Sequence, residues 1–97
     1  MKYDIILAPR AVEDFKGLDA RQRVIIRDAV EKYLRHEPQK LSKSRIKHLR
    51  GLSKPHYRLR VGEVRVFYDV RGKAVEILAI IPKSNTFEWL EREGEKQ

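Results

Sequence analysis

The stretch that most restricts how this chain can fold is Pro55 to Val70, P-H-Y-R-L-R-V-G-E-V-R-V-F-Y-D-V. Two runs of alternating apolar and polar residues meet at Gly62-Glu63, and a glycine at the first central position suits a type II′ two-residue loop. The stretch predicts a β-hairpin in which Val61 faces Val64, Arg60 faces Arg65, Leu59 faces Val66, Arg58 faces Phe67 and Tyr57 faces Tyr68. Side chains alternate across a strand, so Tyr57, Leu59, Val61, Val64, Val66, Tyr68 and Val70 share an apolar core face. His56, Arg58, Arg60, Arg65 and Phe67 share the other face.

Placing Arg60 directly across from Arg65 costs a few tenths of a kcal/mol, since like charges repel across a strand pair. Two readings stand for that face. The arginines keep a solvated sheet surface charged, or they converge on an anion that relieves the repulsion. A phosphodiester suits the second reading, because each guanidinium offers a planar fork of donors and stays charged. On the second reading, replacing Arg60 or Arg65 by alanine should abolish function and leave stability equal or slightly higher, because the like-charge pair is relieved.

Ninety-seven residues with 41% hydrophobic content predict one domain, residues 1–97, with one modest core. There is no cysteine for a disulfide framework. No apolar run approaches the ~20 residues that span a bilayer, and Met1 to Leu7 lacks the pattern of a secretory leader. A cytoplasmic chain is expected. Twenty-two Lys and Arg against 14 Asp and Glu give a net charge of +8. The field of such a chain attracts nucleic acid or an acidic protein, while the spread of charge over strands and a loop argues against a membrane-lying helix.

Taken in order, Lys2 to Ala8 reads as a strand, and Pro9 to Gly17 as a helix with proline at its first position. Asp19 caps a longer helix, with Gln22 at the capping-box position. Ile25, Ile26, Ala29, Val30, Tyr33 and Leu34 form its apolar stripe, and it ends before Pro38. Lys40 to Arg50 reads as a basic loop. Leu41, Ile46 and Leu49 anchor it, while Lys43, Arg45, Lys47 and Arg50 either solvate it or form a rail for a nucleic-acid backbone.

After the hairpin, a turn at Arg71-Gly72 leads into a last strand from Ala74 to Ile81. That register pairs Val75 with Tyr68, Ile77 with Val66 and Ala79 with Val64, leaving Glu76, Leu78 and Ile80 on the arginine side. Two of those three are apolar and need a cover, which the C-terminal segment can provide. Asn85 caps a final helix with Glu88 in its capping box and Gly94 past its end, and Glu93 to Gln97 reads as a frayed tail. The fold class expected is α+β, a small antiparallel-rich sheet of about four strands. A helical hairpin lies on one face, with a short C-terminal helix.

The five glycines are single, so no phosphate-cradling loop is present. His36, His48 and His56 have no ligand spacing with acids, and no metal or other cofactor is expected. Any catalysis must fall mainly to cations.

The order strand, two helices, basic loop, L-R-G-L-S-K-P-H-Y-R-L-R-V-G-E-V-R-V-F-Y-D-V and V-E-I-L-A-I-I-P-K resembles the RelE/ParE superfamily of toxins from type II toxin–antitoxin pairs. The RelE branch of that superfamily implies metal-free cleavage of messenger RNA in the ribosomal A site, by attack of a ribose 2′-hydroxyl on the neighbouring phosphate. Matched by motif, Arg58, Arg60 and Arg65 stand at basic hairpin positions of the family, and Lys83 stands where an arginine is usual. Phe87 falls where the branch has a tyrosine, and phenylalanine cannot move a proton. His56 is the best substitute as acid or base, because Tyr57 and Tyr68 belong to the core face. The ParE branch implies instead a DNA gyrase inhibitor that acts by binding, and a non-catalytic nucleic-acid-binding module is a third possibility. Either toxin branch implies a cognate antitoxin, for which Leu78 and Ile80 offer a docking place if the last helix moves.

Overall fold

The computed structural model describes residues 2–97. Its elements are β1 (Asp4–Leu7), α1 (Pro9–Lys16), α2 (Ala20–Leu34), β2 (Ile46–His48), β3 (Leu52–Lys54), β4 (Tyr57–Val61), β5 (Val64–Arg71), β6 (Ala74–Pro82), a 3₁₀ turn (Lys83–Asn85), α3 (Thr86–Glu93) and β7 (Glu95–Lys96). The hairpin β4–β5 forms in the expected register, from Tyr57 opposite Tyr68 to Val61 opposite Val64. Gly62 has φ +59°, and no residue other than glycine has a positive φ among the described residues. Only the first loop residue therefore needs the glycine, as a II′ loop requires.

The main sheet has five strands, close to the four or so expected, in the order β1-β6-β5-β4-β2. β1 runs parallel to β6, and the other pairs are antiparallel. The added strand lies inside the segment read as a basic loop. Ile46 pairs with Leu59 and is buried, so the short β2 gains both a ladder and an apolar anchor. Leu41, expected to help anchor this segment, is 59% exposed, and Leu49 is half-buried.

The last strand departs from the expected register. Its turn is at Gly72-Lys73, one residue later than read, with Arg71 opposite Ala74 and Tyr68 opposite Ile77. A bulge follows, Leu78 being the extra residue, and pairing resumes with Phe67 opposite Ala79 and Val66 opposite Ile80. The bulge reverses the alternation, because two residues on one strand then oppose one on the other. Leu78 lies on the arginine side as expected, but Ile80 joins the helix-side core, and Ala79 and Ile81 take the arginine side. With β1 ending opposite Ile77, the Asp14 carboxylate of α1 accepts the Ile80 N–H at 2.9 Å.

The two cores follow from that alternation. On one face Ala11 of α1 and Ile26, Val30 and Leu34 of α2 pack on Leu59, Val66, Tyr68, Val75, Ile77 and Ile80. Asp19 caps α2 by accepting the Gln22 N–H at 2.7 Å. Ile25, read as part of the buried stripe, is 41% exposed. On the other face Trp89 of α3 stacks on Phe67 with ring centroids 4.9 Å apart and covers Leu78, Ala79 and Ile81. The C-terminal segment thus provides the expected cover.

Its details differ from expectation. Asn85 belongs to the 3₁₀ turn and makes no side-chain cap to α3, while Phe87 is 66% exposed. The tail does not fray, since β7 pairs with β3 and the Gln97 N–H donates to Gly51 O at 3.2 Å. Among the described residues no helix is long and apolar enough to cross a membrane.

Candidate nucleic-acid interface

Directly opposed residues of an antiparallel ladder point to the same side, so the register itself assembles the basic face. Arg60 lies opposite Arg65, and Lys47 of β2 lies opposite Arg58, which is opposite Phe67. The Arg60 N–H donates to Arg45 O at 2.9 Å, extending the ladder by one step. Lys47 is therefore carried on the edge strand beside the hairpin arginines, and Arg45 stands just before that strand, bonded to Arg60. Lys43 and Arg50 flank them, both exposed.

The three arginines sit at different depths. Arg60 is exposed and Arg58 half-buried, while Arg65 is only 6% exposed and donates through Nη1 to Gly62 O at 2.8 Å and Val64 O at 3.1 Å. Burial, then the Arg65 and Arg60 charges, lowers the Arg58 pKa from its ordinary value. Burial, then Arg60, lowers that of Arg65, with Glu63 opposing. Among the described residues no carboxylate comes within ion-pair distance of any of the three. Arg58 Nε is buried without a hydrogen-bond partner. Leaving a charged donor dry and unpaired costs more than a neutral one, so Arg58 Nε would gain from any acceptor that reached it.

Lys83 opens the 3₁₀ turn, and its N–H donates to Glu63 O at 2.7 Å. Its backbone is thus docked on the hairpin loop, with its side chain exposed at the arginine end of the sheet. Phe87 lies one helical turn further on, largely exposed. Trp89 is core, as its stacking on Phe67 shows, although its Nε1 and the Thr86 Oγ1 are buried without partners.

His56 stands apart. Its N–H donates to Asp69 Oδ1 at 2.8 Å, and its Nδ1 accepts the Val70 N–H at 3.2 Å. The five steps along β5 from Arg65 to Val70 span about 17 Å, at roughly 3.4 Å per residue. An Nδ1 that accepts a hydrogen bond leaves the ring proton on Nε2, so neither nitrogen is free to take a proton while this contact holds. Tyr68 is fully buried and donates to Pro38 O at 2.6 Å, and burial raises its pKa far above the phenol range. Tyr57 stacks on it at 5.5 Å. Both tyrosines are structural.

Two contributions were not read from the sequence. Asp69 is fully buried, accepting from His56 N–H and from Arg71 Nη2 at 3.3 Å, and its place between Tyr68 and Val70 in an apolar strand is a signal in itself. Tyr33, read as part of the apolar stripe of α2, meets the basic segment, with Arg45 Cζ 5.2 Å and the neighbouring Lys32 Nζ 5.4 Å from its ring centroid.

Comparison with known proteins gives this geometry a family. A profile of the ParE toxin of type II toxin–antitoxin systems, parDE, matches residues 5–87. No curated protein gives a match. Among solved structures, the RelB–RelE antitoxin–toxin complex of Methanococcus jannaschii contains a chain of similar fold, with TM-score 0.66, 22% identity, and 87% of this chain and 96% of that chain covered. A chain of the RelBE2 toxin–antitoxin complex of Mycobacterium tuberculosis gives TM-score 0.69 and 22% identity over 84% of this chain and 99% of its own. The archaeal RelE–RelB complex of Pyrococcus horikoshii gives TM-score 0.62 and 27% identity over 86% and 97%. With residues 5–87 matched by that family and its fold shared with these toxin chains, this chain belongs to the RelE/ParE superfamily of toxins of type II toxin–antitoxin systems.

Proposed function

We propose that this toxin is a ribosome-dependent messenger RNA endoribonuclease that acts in the cytoplasm and is neutralised by a cognate antitoxin. The observation that carries the reading is the cluster of Arg58, Arg60 and Arg65 on one sheet face, with no carboxylate partner among the described residues and with two of the three pKa values lowered. Such a face gains most from a group with several anionic oxygens in a small volume, which a phosphodiester is.

In this reading the ribose 2′-hydroxyl loses its proton to water as its oxygen attacks the adjacent phosphorus, the bond to the 5′-oxygen breaks, that oxygen takes a proton from water, and a 2′,3′-cyclic phosphate and a free 5′-hydroxyl result. Arg60 and Arg65 stabilise the charge gathered on the non-bridging oxygens. Arg58, half-buried and with its Nε lacking a partner, adds a third cation on the same face. Lys83 stabilises the leaving oxygen. Phe87 supplies no proton, and His56 has to give up its Val70 contact before it can serve as a base. The arginines therefore carry most of the acceleration, and proton transfer is the weak step. Lys43, Arg45, Lys47 and Arg50 hold the message backbone.

The cognate antitoxin is supported by the solved relatives, which are toxin–antitoxin complexes. Its docking on the apolar side of α3 would have to use Leu78 beneath Trp89, because Ile80 faces the helices instead.

The test is a primer-extension map of a defined message in a reconstituted translation mixture, with Arg65→Ala as control. Breaks within ribosome-occupied codons, absent from the control, are expected. An intact message shifts the assignment to DNA gyrase inhibition by binding. The match to the ParE profile favours that second reading, and loss of gyrase supercoiling at equal protein would establish it.

A further inference from the structure

The basic face does not stop at the sheet edge. A cleft of about 360 Å³ opens between the C-terminal end of α2 and the segment before β2, lined by Lys32, Tyr33, Glu37, Lys40, Ser42 and Arg45 among others. A second hollow of about 310 Å³, lined by Ser44, Arg45, Arg60 and Gly62, adjoins it through the shared Ser44 and Arg45. The two join the cleft to the hairpin loop.

Arg45 is the hinge between them, and it is fixed from both sides. Its carbonyl accepts the Arg60 N–H, its Nη1 donates to Arg60 O at 3.3 Å, and its guanidinium lies against the Tyr33 ring. A guanidinium already held against an aromatic ring and hydrogen-bonded to a carbonyl loses little further freedom when an oxyanion binds its remaining donors. Ser42 Oγ accepts two backbone N–H groups, from Arg45 at 2.9 Å and Ile46 at 3.3 Å. Both acceptor sites are thereby used, and the hydroxyl proton is left to donate. Lys32 and Lys40 add two ammonium groups. The one acid, Glu37, reaches Lys40 only at 3.9 Å with both side chains exposed, a pair too weak to compete with a phosphate.

We infer that this cleft is a second backbone-phosphate subsite. It would take a phosphodiester of the same RNA strand whose scissile phosphate lies at Arg60 and Arg65, so that the strand crosses the β2 edge towards α2. The inference rests on the RNA reading above and adds to it a path and a set of residues. An acidic protein segment is the competing occupant.

The experiment is fluorescence anisotropy with labelled oligouridines of about 3 and about 12 nucleotides, lengths chosen to occupy one subsite or both. Lys32→Ala/Lys40→Ala should weaken the longer oligomer about tenfold, lower its slope of log K against log salt by about 0.7 or more, and leave the shorter one unchanged. Arg65→Ala should weaken both. Wild-type affinity for the longer oligomer in the double variant, with Arg65→Ala weakened, overturns the cleft subsite and leaves the RNA reading standing. Equal loss on both lengths also overturns it, since a diffuse charge effect would do that. Failure of Arg65→Ala to weaken either oligomer overturns both readings together. If the double variant binds polyglutamate less well but RNA as before, the acidic segment is the occupant and the inference fails.

Discussion

Arg60 and Arg65 face each other, yet they are not equivalent residues. The expectation that either could be removed without cost suits Arg60, which is exposed. The surroundings of Arg65 argue against it, since its Nη1 bonds two carbonyls of the hairpin loop from a position only 6% exposed. Arg60→Ala should leave the melting temperature unchanged or slightly raised, because a like-charge pair is relieved. Arg65→Ala should cost about 1 to 2 kcal/mol, the range for losing buried hydrogen bonds, and thermal denaturation of the two variants side by side reads the difference. Message cleavage should be lost in both. Phe87 offers the converse test. Its exposure means that Phe87→Tyr disturbs no packing, so stability should hold while cleavage rises if this position supplies the missing proton transfer. Single-turnover cleavage at several pH values would show the gain as a new titrating limb. The facing of Arg60 and Arg65 could be read from the sequence, since Gly62 fixes the loop. Their unequal depth could not, because alternation names a face and says nothing of what lies over it.

At the scale of elements, legibility followed alternation. β4 and β5 alternate cleanly and were placed residue by residue, whereas I-L-A-I-I-P in β6 is apolar at nearly every position and cannot report its own register. The bulge at Leu78 is therefore invisible in the sequence, although its consequence, two cores on opposite faces, follows at once from it. The three-residue β2 and the two-residue β7 are too short for any periodic signal. What ties these elements together is a small set of side-chain hydrogen bonds, of which Tyr68 to Pro38 joins β5 to the connection leaving α2. Burial raises the Tyr68 pKa above the ordinary value of 10.0. The folded state therefore keeps the phenol proton where the unfolded state releases it, and this group's stabilisation is full below pH 10.0 and lost as pH rises beyond it. Urea denaturation between neutral pH and about pH 11 should show the wild type losing stability above about pH 10. Tyr68→Phe should start about 1 to 2 kcal/mol lower and show a shallower alkaline decline.

For the molecule as a whole, a charge of +8 would attract any polyanion, and the sequence leaves open whether attraction is diffuse or local. The fold answers by placement. Arg58, Arg60, Arg65 and Lys47 gather on one sheet face, while Arg21 and Arg27 sit exposed on α2, which packs against the opposite face. A diffuse field would weigh all of these cations alike. A built site would weigh only the first group, because counterion release is counted at phosphates in contact, at about 0.7 per contact for a single strand. Arg60→Gln should therefore lower the slope of log K against log salt for oligouridine by about 0.7, whereas Arg21→Gln, the same loss of one charge, should leave the slope unchanged. Both variants should slow association slightly at low salt, as long-range steering depends on total charge, and the difference should fade as the Debye length shrinks to about 8 Å near 0.15 M salt. Equal slopes for the two variants would mean that the arginine face is only a charged surface, and the gyrase-binding reading would then take precedence.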